Sequence, residues 1–520
     1  MRMLSRRWVL ALALALGSAP VSAASATGSV DWLPAAADTD IERAFAQARA
    51  EKKPVLLYWG AKWCPPCNQL KATLFNRQDF IERSSSFVAV EIDGDLPGAQ
   101  KLGARFKVSG YPTMVLMNAN GAEITRLPGE VDAPQVMRVL QLGLAGGRPV
   151  KAVLADARGG KALSANEWRM LAFYSWDTDE AQLVSAEQRP GLLAQLSSAC
   201  PASESGSATR LMLKALADSD DGKGVKADDA LRERVRGWLA NPSIARAQMD
   251  VVVNAAPEIT KALTSPASPQ RKATVQSFEG ALKRLEADAS LSRADRLSAL
   301  MARVELARID APKTERHPKI QPALLKEVRD HSARVDREIT DGYERQAVIT
   351  AAAHMLAQAG LWAESDALLK SNLARSHSPY YLMSQLGGNA RKLGRKDEAL
   401  GWYEQAFVKS EGPATRLQWG SSYVNALVEL APQDAARIEK AVSELLGEAA
   451  ADPGAFDGRS VRSLRRVGEK LSAWNSDGRH DAVIARLRTQ LDGICGKFDA
   501  ADPQRAGCDG VLRKAAKTSA

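Results

Sequence analysis

The stretch Trp63-Cys64-Pro65-Pro66-Cys67 constrains this chain more than any other. It follows a strand-forming run, Pro54-Val55-Leu56-Leu57-Tyr58-Trp59, and leads into a helical pattern carrying Leu70 and Leu74. Two cysteines at this spacing serve as a redox pair or as half a zinc site. A zinc site needs two further ligands. Cys200, Cys495 and Cys508 form no second pair of this spacing, and His317, His331, His354, His377 and His480 are scattered. The redox reading is therefore favoured, with no metal and no cofactor expected.

At a strand-to-helix turn, Cys64 falls at the start of the helix. Free N–H groups and the positive end of the helix dipole stabilise a thiolate there. Thiolate is the attacking form, which makes Cys64 the expected nucleophile. Cys67 lies one turn on, within reach of the mixed disulfide it would resolve. Prolines fit the first helical turn, where N–H groups lack intrahelical partners. They also leave fewer donors for the Cys64 sulfur, which favours the disulfide form and hence a more reducing pair. Lys62 and Lys71 are alternative sources of positive charge.

A second element stands downstream. Gly110-Tyr111-Pro112-Thr113 opens another β run, Met114-Val115-Leu116-Met117, and Pro112 follows Cys67 by 45 residues. With both motifs in this order the sequence resembles the thioredoxin superfamily. The resemblance implies a central mixed sheet with helices on both faces. It also implies that Pro112 is a cis proline facing Cys64, and that Trp63, Tyr111 and Pro112 hold an extended substrate segment. The segment Leu74 to Ile81 is similar to the subgroup containing the periplasmic C-terminal domain of the transmembrane thiol reductant carrier. Two departures stand out. Tyr58 occupies the position of the buried aspartate found in many thioredoxins, and Lys71 replaces a carboxylate carried by some members. No acid is assigned as proton acceptor. Glu91 and Asp93 end a strand and are expected to be solvated.

Residues 1–23 read as a secretory signal: Arg2, Arg6 and Arg7, then an apolar core from Trp8 to Leu16, then small residues for cleavage near Ala23 or Ala26. The expected location is periplasmic, by the general or the twin-arginine route. The apolar core is too short to span a bilayer, and no later apolar run is long enough. The formal charge of +9 falls to +6 once the three signal arginines are removed, and residues 24–147 hold 13 basic and 13 acidic residues. Without a basic run interleaved with aromatics, nucleic-acid binding is not expected.

The length implies more than one domain. Residues 24–147 fit one α/β unit. Thr39-x-x-Glu42 is a capping-box signature, followed by Ile41, Ala44, Phe45 and Ala48 at helical spacing. Strands at 54–59 and 87–92, a helix at 96–106, a hairpin around Asn120-Gly121 and a helix at 133–144 complete it. Residues 148–520 read as a large all-α helical array. Gly360 and Gly394 stand 34 residues apart in similar contexts, the tetratricopeptide period, so tetratricopeptide-like repeats are expected near 346–413. Trp402, Tyr403 and Trp419 are expected to pack between helices.

Asp218, Asp220 and Asp229 have partial EF-hand spacing, but Lys223 stands at the required glycine, so an acidic loop is expected. Cys495 and Cys508 bracket a Gly/Asp/Pro-rich loop and suit a structural disulfide in an exported protein. Cys200 is then a shielded free thiol or an internal partner of Cys64.

The expected function is a periplasmic thiol–disulfide oxidoreductase that reduces substrate disulfides and is recharged by an upstream thiol reductant. The helical region would bind a protein partner or restrict access. Two alternatives stay open: a helical-repeat adaptor with a redox switch, and the same fold run as oxidase or isomerase.

Overall fold

The computed structural model describes residues 28–129, 132–219 and 224–512. The expected signal at 1–23, together with Asp220 and Lys223, lies outside the described residues. Five strands form one mixed sheet: β1 (Leu33–Pro34), β2 (Val55–Gly60), β3 (Val88–Asp93), β4 (Thr113–Met117) and β5 (Glu123–Leu127). Their order is β1-β3-β2-β4-β5. β1, β3 and β2 run parallel, whereas β4 is antiparallel to both β2 and β5. Tyr58 stands opposite Glu91 on one side and Met114 on the other.

β2 is central, and all six of its residues are buried. That is why it reads as an unbroken apolar run: both faces of the sheet are covered. Val55, Leu57 and Trp59 pack on one face with Ile41, Ala44, Phe45 and Ala48 of α1 (Asp38–Glu51). Leu56 and Tyr58 pack on the other, with Leu70 of α2 (Pro65–Leu70) and Phe80 of α3 (Gln78–Ser84). A π turn extends α2 through Phe75. α4 (Ala99–Arg105) is shorter than the expected 96–106, whereas α5 (Ala133–Leu144) matches its expected span. The cap of α1 differs from the Thr39-x-x-Glu42 expectation. Ala37 is the N-cap, and the Asp40 carboxylate accepts from the Ala36 and Ala37 N–H groups at 3.1 Å each. A capping carboxylate nearer the helix start satisfies those donors first.

The core on the α5 face does not stop at Gly146-Gly147. Val136 and Leu140 join one cluster with Val153, Leu154, Trp168, Leu171, Trp176, Leu193 and Leu211. Helices then follow one another to Asp509, most of them packing on a neighbour in sequence. Gly360 and Gly394 each take a left-handed backbone, φ 81° and 75°, at the turn between two helices: Gly342–Gln358 with Trp362–Asn372, and Pro379–Lys392 with Lys396–Lys409. Glycine takes that left-handed backbone with the least strain, having no Cβ.

Near the end of the chain, Cys495 is bonded to Cys508, with Cα atoms 5.6 Å apart. Cys200 is unpaired. Its thiol donates to the Glu204 carbonyl at 3.5 Å, and burial pushes its pKa up to about 11 with help from the Glu204 carboxylate, leaving it a weak nucleophile at neutral pH. Asp218 is held by Arg189 at 2.6 Å, and Asp229 by Arg232 at 2.6 Å. Asp218 and Asp229 thus serve ion pairs.

Candidate active site

β2 delivers Ala61, Lys62 and Trp63 to the start of α2. Cys64 is the N-cap residue, and its sulfur accepts from the Cys67 N–H at 3.3 Å. Pro65 and Pro66 fill the next two positions, where a missing N–H costs nothing. Cys64 and Cys67 are joined, with Cα atoms 5.3 Å apart. Asn68 staples the loop: its amide donates to the Lys62 and Cys64 carbonyls, both at 2.8 Å. The Tyr111–Pro112 peptide is cis.

Tyr58 fills the position where many thioredoxins carry a buried aspartate. The Tyr58 hydroxyl is buried without a hydrogen-bond partner, and desolvation, helped by Glu91 and Asp93, raises its pKa well beyond its ordinary value. Lys71 is held by Glu91 at 3.3 Å. The expectation that Glu91 and Asp93 are solvated needs correcting. Both are only half exposed, and desolvation raises the Asp93 carboxyl. The cause is tertiary. Their strand end is roofed by Tyr343 and His377 from the helical region, across a cleft of about 560 Å³.

The sulfurs are not open to solvent. Cys64 is 3% exposed and Cys67 is 0% exposed. The cover comes from five helices of the region after residue 147. Tyr380 and Met383 of helix Pro379–Lys392, Ala406 of helix Lys396–Lys409 and Trp419 of helix Pro413–Leu430 cluster with Ala61, Trp63 and both cysteines. The Trp63 ring stacks on Tyr381 at 5.9 Å and 19°, and meets Trp419 edge-on at 5.9 Å. Gln346, from helix Gly342–Gln358, donates to the Trp63 carbonyl at 3.2 Å. Arg459, from helix Gly458–Trp474, sets its guanidinium over both the Trp63 ring (5.0 Å) and the Tyr111 ring (4.9 Å).

A polar node lies beneath this cover. The Trp63 indole N–H donates to Asp95 Oδ2 at 3.0 Å and to Thr415 Oγ1 at 2.7 Å, and the Thr415 hydroxyl donates in turn to Asp95 Oδ1. The backbone N–H of Arg459 donates to Gln100 Oε1 at 2.9 Å, and the Gln100 amide donates to the Tyr111 hydroxyl at 2.8 Å. Gly412 makes the approach possible. A Cβ there would lie 2.6 Å from Asp95 Cβ, and its φ of 84° is itself left-handed.

Burial pushes the Asp95 pKa up to about 7; the Thr415 hydroxyl and Arg459 oppose the rise and Asp93 adds to it. A carboxyl raised above its unfolded value favours the folded state least once it is charged. Its contribution therefore falls as pH climbs from about 4 to about 7 and stays low above that. Asp95→Asn should flatten this dependence, removing roughly 2–3 kcal/mol of the stability lost between pH 5 and pH 8. Urea unfolding at pH 5 and pH 8 measures it; a variant that loses as much stability between the two as the parent contradicts the assignment.

Comparison with known proteins places the first unit. Residues 41–143 match the family model described as a thioredoxin-like domain. This part of the chain has the thioredoxin-like fold. The thiol:disulfide interchange protein DsbD of Pseudomonas fluorescens is 33% identical over 98 residues, covering 18% of this chain and 17% of that protein. DsbD of Cronobacter sakazakii is 32% identical over 99 residues with the same coverage. The chain thus spans about a sixth of the length of the curated relatives it matches. Among solved structures, a DsbH oxidoreductase aligns with 26% of this chain and 96% of its own, at 18% identity and a TM-score of 0.21. A circular tandem repeat protein aligns with 73% of this chain at 13% identity and a TM-score of 0.18.

Of the sequence-derived site residues, Trp63, Cys64 and Cys67 come together in one buried cluster, with Tyr111 packed at its edge. Asp95, Thr415, Arg459, Tyr381 and Gln346 were not legible as neighbours of the pair. Trp419 packs between helices as expected, against Tyr380 and Tyr381, and it also meets Trp63. No local pattern marks such residues; their only signal is spatial. Among the described residues no group of three potential metal ligands occurs. No helix there is long and apolar enough to cross a membrane. A larger cavity, about 890 Å³, lies between α5 and helix Ser205–Ala217 and touches none of the redox residues.

Proposed function

We propose that this protein is an exported thiol–disulfide oxidoreductase that runs as a disulfide reductase. The observation that carries the reading is Cys64 at the N-cap of α2, its sulfur taking the Cys67 N–H, with Cys67 one turn inside the same helix. The likeness of residues 41–143 to part of proteins named for thiol:disulfide interchange supports it. In the reduced form, the Cys64 thiolate attacks a substrate disulfide and expels one substrate thiolate. The Cys67 thiol, after losing its proton, attacks Cys64 Sγ and releases the second. Two electrons pass to the substrate, and Cys64 and Cys67 end as a disulfide. An upstream thiol donor must return the electrons; no cofactor is needed.

The direction rests on the donor count. Two prolines leave the Cys67 N–H as the one local backbone donor found on the Cys64 sulfur. A poorly stabilised thiolate favours the disulfide form. The expected reduction potential is therefore nearer about −270 mV than about −120 mV. Equilibration against dithiothreitol measures it, and a value above about −180 mV removes the reductase direction.

Export through the signal at 1–23, a periplasmic location and a tetratricopeptide-like character of residues 346–413 belong to the same proposal. A second reading, a helical adaptor with a redox switch, is favoured by the direct packing of the arm on Trp63. A Cys64→Ser/Cys67→Ser double variant separates the two: an adaptor without redox duty keeps its partner and its phenotype.

A further inference from the structure

Resting on the redox reading above, we propose that Thr415 and Arg459 are specificity-determining residues. They latch the helical arm over Trp63 and Tyr111, and the latched arm admits small thiols to Cys64 far better than folded protein thiols.

The contacts fall on the two places where a protein partner would have to lie. Trp63 directly precedes Cys64 and Tyr111 directly precedes the cis Pro112. An extended segment added beside Pro112 needs that ground free. In the structure it is taken by Arg459 over both rings, by Tyr381 and Trp419 against Trp63, and by Thr415 on the indole N–H. The cleft beside the loop brings solvent as far as Ala61, Lys62 and Asn68, but neither sulfur lines it. A small thiol therefore needs only a local fluctuation at Cys64, whereas a folded partner needs the arm moved.

The composition of the interface suits separation. Asp95, Gln100, Thr415, Gln346 and Arg459 all meet water when the arm lifts, so opening exchanges protein hydrogen bonds for solvent ones. The interface is mixed, since Tyr380, Met383 and Trp419 lay apolar surface on Trp63; Thr415 and Arg459 act on its polar part. Thr415 and Arg459 are the two arm residues that reach the redox domain through Asp95 and through both rings. Loosening them raises the open fraction, and the rate with a bulky partner rises in proportion.

The test uses the oxidised full-length protein, its Thr415→Val variant, which keeps the shape and loses the hydroxyl, and its Arg459→Met variant. Each is mixed with dithiothreitol or with reduced thioredoxin, quenched, alkylated and read by mass spectrometry on the Cys64–Cys67 peptide. In both reactions a reductant thiolate attacks the pair, the second reductant thiol closes, the reductant leaves as a disulfide and the pair gains two electrons. The variants should speed reduction by thioredoxin at least about tenfold and change the dithiothreitol rate less than about threefold. Unchanged thioredoxin rates overturn the latch, as does equal acceleration with both reagents, which would mean general loosening. If Arg459→Met lacks the parent's circular dichroism, Thr415→Val decides alone. A pair that dithiothreitol reduces in none of the three proteins removes the redox reading itself, and the latch with it.

Discussion

Replacing Cys67 with serine should leave Cys64 joined to its substrate as a stable mixed disulfide, while Cys64→Ser traps almost nothing. Resolution requires the Cys67 thiol, and Cys67 itself is fully buried. Either change should lower disulfide-reductase turnover by at least about 10³-fold, the scale expected when a group that acts as part of a unit is lost. Turnover of a small disulfide, and mass spectrometry of each variant after mixing with that disulfide, check the two halves. Equal trapping by both variants would mean that Cys67 can attack from outside and that the order of attack is reversed.

The second large effect lies away from the sulfurs. Arg210 is completely buried, and its guanidinium grips Asp250 through two hydrogen bonds of 2.8 and 2.6 Å. Its Nε donates to the Ala172 carbonyl at 3.0 Å, and its face lies 4.1 Å from the Phe173 ring. One residue thus joins three helices beneath the shared core. Arg210→Met strands a buried carboxylate and should cost about 3–5 kcal/mol, with much of the loss recovered in Arg210→Met/Asp250→Leu. Burial alone would raise the Asp250 carboxyl, yet the adjacent guanidinium holds it below its ordinary range. Its contribution is therefore present above about pH 4 and disappears as pH falls through the lowered value. Urea midpoints of the parent and both variants, at pH 7 and at pH 3, measure these effects. A double variant no better than the single would show that packing, and not the stranded charge, sets the cost.

Both predictions depend on residues of very different legibility. The Cys64–Cys67 pair stood out from its spacing, its place at a strand-to-helix turn and the absence of further metal-type ligands beside it in the sequence. Arg210 carried no signal: an arginine in an alanine- and leucine-rich helix reads as solvated, and only the arrival of Asp250 forty positions later makes it a core residue.

The same division runs through the molecule. Most of the order of strands and helices up to residue 144 was legible because those elements announce themselves locally; the two-residue β1 and the short α3 were not read from the sequence. β2 is an apolar run with both faces covered, α5 has helical spacing, and the β4–β5 hairpin turns at Asn120-Gly121. The helical character of the rest was legible from its turn clusters and its lack of β-branched runs. Sequence by itself therefore determined the fold of the redox unit, the identity of the sulfur pair and the presence of a long helical arm. Only the tertiary structure decided where that arm goes. It lies over the pair, with Thr415 meeting Asp95 across 320 positions and Gln346 meeting Trp63 across 283. The physical reason is one of range. Propensity, capping and hydrophobic period act over a few residues, whereas docking depends on shape, on hydrogen-bond partners and on a gap such as the one at Gly412. Those appear only when distant segments are already in place.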